Sequence, residues 1–122
     1  MSYTTFEYGD ASIDRKKGSA DDVFTITIPV SNTGNREGSE VVQLYVSDLK
    51  SSLPRPLKEL KGFSKIHLAP GQTENVSFGI SRDALSYFDD KSHEWIVEPG
   101  KFEALVGASA GDIRSKVSFE VQ

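Results

Sequence analysis

The chain has 122 residues, 37% of them hydrophobic, with a formal net charge of −4 and a sequence pI near 5.1. That length makes one domain able to bury about two thirds of the surface its unfolded chain exposes, and the acidic balance argues against nucleic acid, whose binders present basic surfaces. Cysteine is absent, which removes a disulfide framework, a thiol nucleophile and any cysteine-ligated zinc; there is no signal-peptide pattern and no apolar run of bilayer length, so no membrane partner is expected.

Apolar residues alternate with period two along nearly every segment, as they do in half-buried strands. Tyr3, Phe6 and Tyr8 make an approach segment or an edge strand, and Ile13 centres a weak strand over residues 11–14. Arg15, Lys16 and Lys17 face Asp14, Asp21 and Asp22 in what reads as a solvated turn. A clear strand follows, with Phe24, Ile26, Ile28 and Val30 pointing one way and Thr25, Thr27 and Ser31 the other. Pro29 lacks a donor, so a bulge or an edge is expected there. Asn32-Thr33-Gly34-Asn35 is turn chemistry. Residues 40–46 then carry Val42, Leu44 and Val46 on one face and Val41, Gln43 and Tyr45 on the other, which predicts a central strand.

The loop after it is unusual. Pro54 and Pro56 each fix φ and remove a donor, and they hold Leu53 and Arg55 extended. Leu60, Phe63, Ile66 and Leu68 mark the next strand, with a slip at Gly62 that predicts a kink or bulge. Pro70-Gly71 fits a type II turn, and Pro99-Gly100 repeats the signal. Between them, Val76, Phe78 and Ile80 point inward from a strand, residues 81–85 make one helical turn capped by Ser81, and Tyr87-Phe88 lead into a turn from which residues 94–97 return. Residues 101–108 and 113–121 form the last strands. Seven to nine short strands with a turn about every ten residues describe an antiparallel all-β sandwich in a single domain, 1–122. The expected core is Phe24, Ile26, Ile28, Leu44, Phe78, Trp95, Phe102 and Leu105; loss of a buried Trp95 side chain would cost about 3–5 kcal/mol.

Candidate chemistry is sparse. His67 and His93 lie in different segments, and a zinc site would need Glu94, Asp89 or Asp90 as well; a polar hairpin tip is the simpler reading, so no metal and no cofactor is expected. Asp89/Asp90 and Asp21/Asp22 are neighbours in sequence rather than carboxylates opposed across a sugar-sized cleft. No serine or threonine sits in a glycine elbow, and the glycosylation pattern Asn75-Val76-Ser77 falls inside a strand. Tyr3, Tyr8, Tyr45 and Tyr87 could stack on sugar, but tyrosines near strand ends more often border a core. No catalytic residue is therefore expected. The proline loop is longer than an ordinary hairpin connection. Leu49, Leu53 and Leu57 need cover, and Arg55 offers a planar fork for carboxylates or carbonyls. The residues leave two readings open: the loop folds over its own sheet, or it docks on a neighbour.

Four strings in order carry a resemblance: E-V-V-Q-L-Y-V-S-D at 40–48, R-P-L-K-E-L-K-G-F at 55–63, L-A-P-G-Q-T at 68–73 and E-P-G-K-F-E-A-L-V-G-A-S at 98–109. Together they closely resemble the C-terminal fibronectin type III-like domain of family 3 glycoside hydrolases, the β-glucosidases and β-xylosidases. The resemblance covers almost the whole chain and implies an immunoglobulin-like sandwich, with residues 1–8 as its lead-in from a preceding domain. The family's nucleophile and acid/base belong to other domains, so the resemblance implies an accessory, non-catalytic part whose partners are the catalytic domains of a parent glycosidase. It also implies that the loop at 51–59 faces those domains, making Leu49, Leu53, Pro54, Arg55, Pro56 and Leu57 the interface candidates. A secreted or periplasmic setting is the one it favours. The competing readings are a carbohydrate- or polymer-surface-binding module and an independent protein-binding sandwich.

Overall fold

The long strands take their inside and outside from strict alternation. The computed structural model describes residues 4–49 and 58–122, and its elements are β1 (Phe6–Tyr8), β2 (Ser12–Ile13), β3 (Lys17–Gly18), β4 (Phe24–Asn32), β5 (Gly38–Asp48), β6 (Glu59–Leu68), β7 (Thr73–Ile80), α1 (Arg82–Leu85), β8 (Tyr87–Asp89), β9 (Glu94–Ile96), β10 (Gly100–Ser109) and β11 (Asp112–Val121). Along β4 every second residue from Phe24 to Asn32 is buried, which fixes its register because a one-residue slip would turn the apolar set to water. β4 is the middle of the first sheet, with β7 on one side and β1 and β2 in succession on the other. The second sheet runs β3-β11-β10-β5-β6, antiparallel except for the β3–β11 pair.

Pro29 causes no bulge. β4 pairs with β7 residue for residue from Phe24 to Ser31. The N–H and C=O of a strand residue point to the same neighbour, and the Pro29 carbonyl accepts from Gly9 N at 2.8 Å. The missing donor therefore faces the break between β1 and β2. Only glycine fits opposite it, since a Cβ on Gly9 would lie 2.6 Å from the proline ring.

The basic cluster is more than a solvated turn. Lys17–Gly18 pairs in parallel with Glu120 and Val121, carrying the chain from the first sheet to the second. Arg15 still meets Asp22 at 3.2 Å, an exposed ion pair. In β6 a register shift opposite Leu44 and Tyr45 leaves Lys61 as the extra residue. Gly71 has φ 79° and Gln72 N donates to Ala69 O at 3.0 Å, the geometry of a type II turn. Pro99-Gly100 is not one: Gly100 has φ 147° and already pairs with Val121 as the first residue of β10.

The two sheets meet through Phe24, Ile26, Ile28, Leu44, Phe78, Phe102, Phe119 and their buried neighbours. Phe24 of the first sheet lies 4.8 Å from Phe119 of the second, and Phe119 stacks on Phe102 at 5.6 Å and 16°. Two expected core members lie elsewhere. Leu105 belongs to the outward set of β10, opposite Tyr45 and Lys116, because Phe102, Ala104 and Val106 take the inward parity. Trp95 is 64% exposed; it stands on a three-residue arm, too short to lie over the core, and packs edge-on against Phe88 across the β8–β9 pair at 5.6 Å and 70°.

Asn32 is the one buried polar side chain among the described residues. Its Nδ2 donates to Arg36 O (2.8 Å) and Leu68 O (3.0 Å), and its Oδ1 accepts from Thr4 Oγ1 (2.7 Å) and Gly34 N (3.0 Å). All of its capacity is used, and four chain segments are tied at the end of β4. Equilibrium urea unfolding of the 122-residue chain is expected to show Phe119→Ala costing about 3–5 kcal/mol and Asn32→Ala about 3 kcal/mol, through partners left unpaired. Trp95→Ala should cost about 1 kcal/mol or less, as for an exposed side chain; a loss as large as that of Phe119→Ala would contradict this placement.

Candidate functional site

The acidic side chains that might have done chemistry are engaged in their own turns. Asp22 Oδ2 accepts from Ser19 N at 2.8 Å, and that bond, with Arg15 close by, holds its pKa below the usual carboxylate value. Asp89 accepts from Ser92 Oγ at 2.8 Å and is lowered chiefly by that bond. Arg114 grips Asp112 with two donors, at 2.7 and 2.9 Å, and lowers it in the same way. None of the three is raised, as a general acid working near neutral pH would be. His67 accepts or donates at Ser39 Oγ, 2.9 Å away, and lies 3.6 Å from Glu37, while His93 sits at φ 55° in the β8–β9 turn. Among the described residues no group of three or more His, Cys, Asp or Glu could hold a metal ion. No helix there is long and apolar enough to cross a membrane.

Among the described residues the tyrosines border the core rather than forming a flat platform. Tyr45 is buried, its hydroxyl donating to Gln43 Oε1, and Tyr87 donates to Glu98 at 3.2 Å. Tyr8 carries the guanidinium of Arg114 5.0 Å over its ring, and its hydroxyl is buried without a hydrogen-bond partner. Burial first, and the Glu40 carboxylate second, push its pKa up. Among the described residues, the exposed aromatic rings are Phe63, Phe88 and Trp95. The sequence held a signal for the last two: they sit symmetrically about a short polar turn, on arms too brief to be core strands.

Of the interface candidates, Leu53, Pro54, Arg55, Pro56 and Leu57 lie outside the described residues. Leu49 ends the β5 ladder, its N donating to Lys101 O at 3.0 Å, and is 49% exposed. It borders a shallow cavity of about 380 Å³ whose wall includes Lys16, Lys17 and Lys101. At the other end of the loop, Lys58 reaches over its own sheet: its Nζ donates to Ala110 O at 2.6 Å and stands 5.9 Å over the Tyr45 ring. Tyr45, opposite Leu105 and Leu60, is buried on this outward face.

This is a two-sheet sandwich of the immunoglobulin and fibronectin kind. The chain belongs to the fibronectin type III-like domain family, whose model matches residues 40–110. It is 46% identical over 120 residues to Beta-glucosidase BoGH3A of Bacteroides ovatus, covering 98% of this chain and 16% of that protein. It is 38% identical over 122 residues to a putative beta-xylosidase of Formosa agariphila, again 16% of that protein. The crystal structure of the Kluyveromyces marxianus beta-glucosidase aligns with all of this chain at TM-score 0.88 and 46% identity, over 14% of its own length. A beta-glucosidase structure from Erythrobacter marinus aligns at TM-score 0.93 and 33% identity, over 16%. The chain thus spans about a sixth of the length of the relatives it matches.

The lowered carboxylates set an acid limit. Their folded pKa values lie below the unfolded ones, so their contribution is present above about pH 4 and is lost as pH falls through that range. Tyr8 works the other way: its folded pKa is raised, so its contribution is present below about pH 10 and is lost above it. A Tm profile is expected to fall at both ends. Asp112→Asn should flatten part of the acid limb. Tyr8→Phe should flatten the alkaline limb and cost little at neutral pH, because it removes a buried hydroxyl with no partner.

Proposed function

We propose that this chain is the non-catalytic accessory domain of a family 3 β-glycosidase, packing on and stabilising the catalytic domains of its parent through the loop at 49–62. The observation that carries the reading is the full-length match of this chain to about a sixth of several β-glucosidases, at identities up to 47%. A chain that recurs as one part of much longer enzymes, with its acids engaged in turns, has a job defined by the remainder. The loop suits that job: two prolines limit the ordering cost of docking, its leucines gain from burial, and the Arg55 fork can meet a carboxylate or carbonyl at a rim.

In the full-length polypeptide, Leu53→Asp or Arg55→Ala is expected to lower the Tm of the whole while leaving that of the isolated 122-residue chain unchanged. Unaltered melting of the full-length protein with both changes would remove the loop from the interface. The isolated chain should hydrolyse nitrophenyl glucosides and xylosides at the background rate.

A second reading, attachment to a polysaccharide surface, draws on the exposed Phe88 and Trp95 rings. Pull-down of the chain on insoluble glucan and xylan separates the two, because an accessory domain of the first kind stays in the supernatant.

A further inference from the structure

Four of the seven exposed large apolar side chains among the described residues gather at one end of the sandwich, while Val41, Leu60 and Phe63 lie along β5 and β6. The start of β4, the ends of β7 and β11 and the start of β10 lie together, as the Phe24–Ile80 and Gly100–Val121 pairs and the Phe24–Phe119 contact require. The end of β5 joins them through the Asp48–Phe102 pair. The β8–β9 hairpin is tethered there too. It is anchored on one side by Leu85, 1% exposed, and on the other by Val97, packed against the core, while α1 meets the Asp21 turn through Arg82 at 3.6 Å. This pole of the sandwich carries Val23, Leu49, Phe88 and Trp95, each between 43% and 64% exposed. The opposite pole, built on Asn32 and the turns at 33–37 and 69–72, has no exposed large apolar side chain among the described residues.

We infer that this pole is a docking surface, with Trp95 braced by Phe88 as its anchor, and that its occupant is the remaining portion of the parent polypeptide; the inference rests on the accessory-domain reading and extends it beyond the loop. Two observations select that occupant. The chain fills only 14–16% of its relatives, so a large body of polypeptide is covalently at hand. The ring planes of Phe88 and Trp95 stand at 70°, so they offer no flat shelf for consecutive sugar rings, whereas edge-to-face aromatics are ordinary in protein contacts. A two-stranded hairpin of three-residue arms is also marginal by itself, and a partner would hold it.

Hydrogen exchange followed by mass spectrometry, on the 122-residue chain and on the full-length polypeptide, tests this. Amides of 87–97 are expected to exchange about tenfold or more slowly in the full-length protein, with those of 33–37 unchanged. Trp95→Ser in the full-length protein should return 87–97 to the rate of the isolated chain, while lowering the Tm of the isolated chain by a few degrees at most. Equal rates for 87–97 in the two proteins, with 50–57 slowed, would overturn the pole and leave the loop reading standing. Equal rates everywhere would overturn both. Slowing of 87–97 alone would establish the pole and displace the loop.

Discussion

With no cysteine in the chain, the two sheets are kept face to face without a covalent staple, and the Phe24–Phe119–Phe102 contact joins them through stacked and tilted rings. An aromatic pair contributes on the order of 1 kcal/mol beyond the area it buries, and here three rings from β4, β11 and β10 share one site. The far end of the sandwich is closed by different chemistry. Asn32 spends both donors and both acceptors on three other chain segments, the lead-in at Thr4, the turn at 33–37 and the end of β6, which fixes where the turns sit. Both poles are packed with apolar residues, but only the Asn32 end adds a buried hydrogen-bond clasp among the described residues.

That division explains why the molecule carries its exposed rings where it does. The aromatic pole is already closed beneath the surface by Phe24, Phe102, Phe119 and Leu85, so Trp95 and Phe88 are not required to complete the core. Residues free of that duty can be exposed without loosening the fold. The polar pole has no such freedom, since its turn residues and Asn32 satisfy one another and an apolar replacement would strand a partner.

Much of the architecture was legible in the sequence because long strands enforce their own parity. β4, β7 and the inner half of β5 could be assigned side by side from alternation alone, and the four ordered strings pointed to the family. Legibility failed where the chain departs from alternation or is too short to display it. Leu105 is larger than its neighbours Ala104 and Val106, so size suggests it for the core, but the parity set by Phe102 turns it outward. Trp95 misleads for the same reason: a tryptophan reads as core until the arm that bears it is seen to be three residues long. β3 is two residues, a lysine and a glycine, and pairs only because β11 brings Glu120 and Val121 alongside. Pro99-Gly100 has turn chemistry, but glycine supplies unusual φ equally well at the start of a strand. For the candidate site, Leu49 was legible as an uncovered apolar residue; the hairpin was not, because it becomes a surface feature only once the core is seen to close without it.

Closing the core before the surface is used has a consequence for association. A domain whose inter-sheet packing is complete presents its docking residues on strand ends already fixed by the ladders, so little backbone entropy is lost when a partner arrives. Leu49 is positioned in this way by its bond to Lys101. The β8–β9 hairpin is anchored to the core at Leu85 and Val97, and its short arms gain from what lies against them. In the proposed contact, rigid strand ends would set the register, and the hairpin, which carries the single tryptophan of the chain, would supply an aromatic anchor.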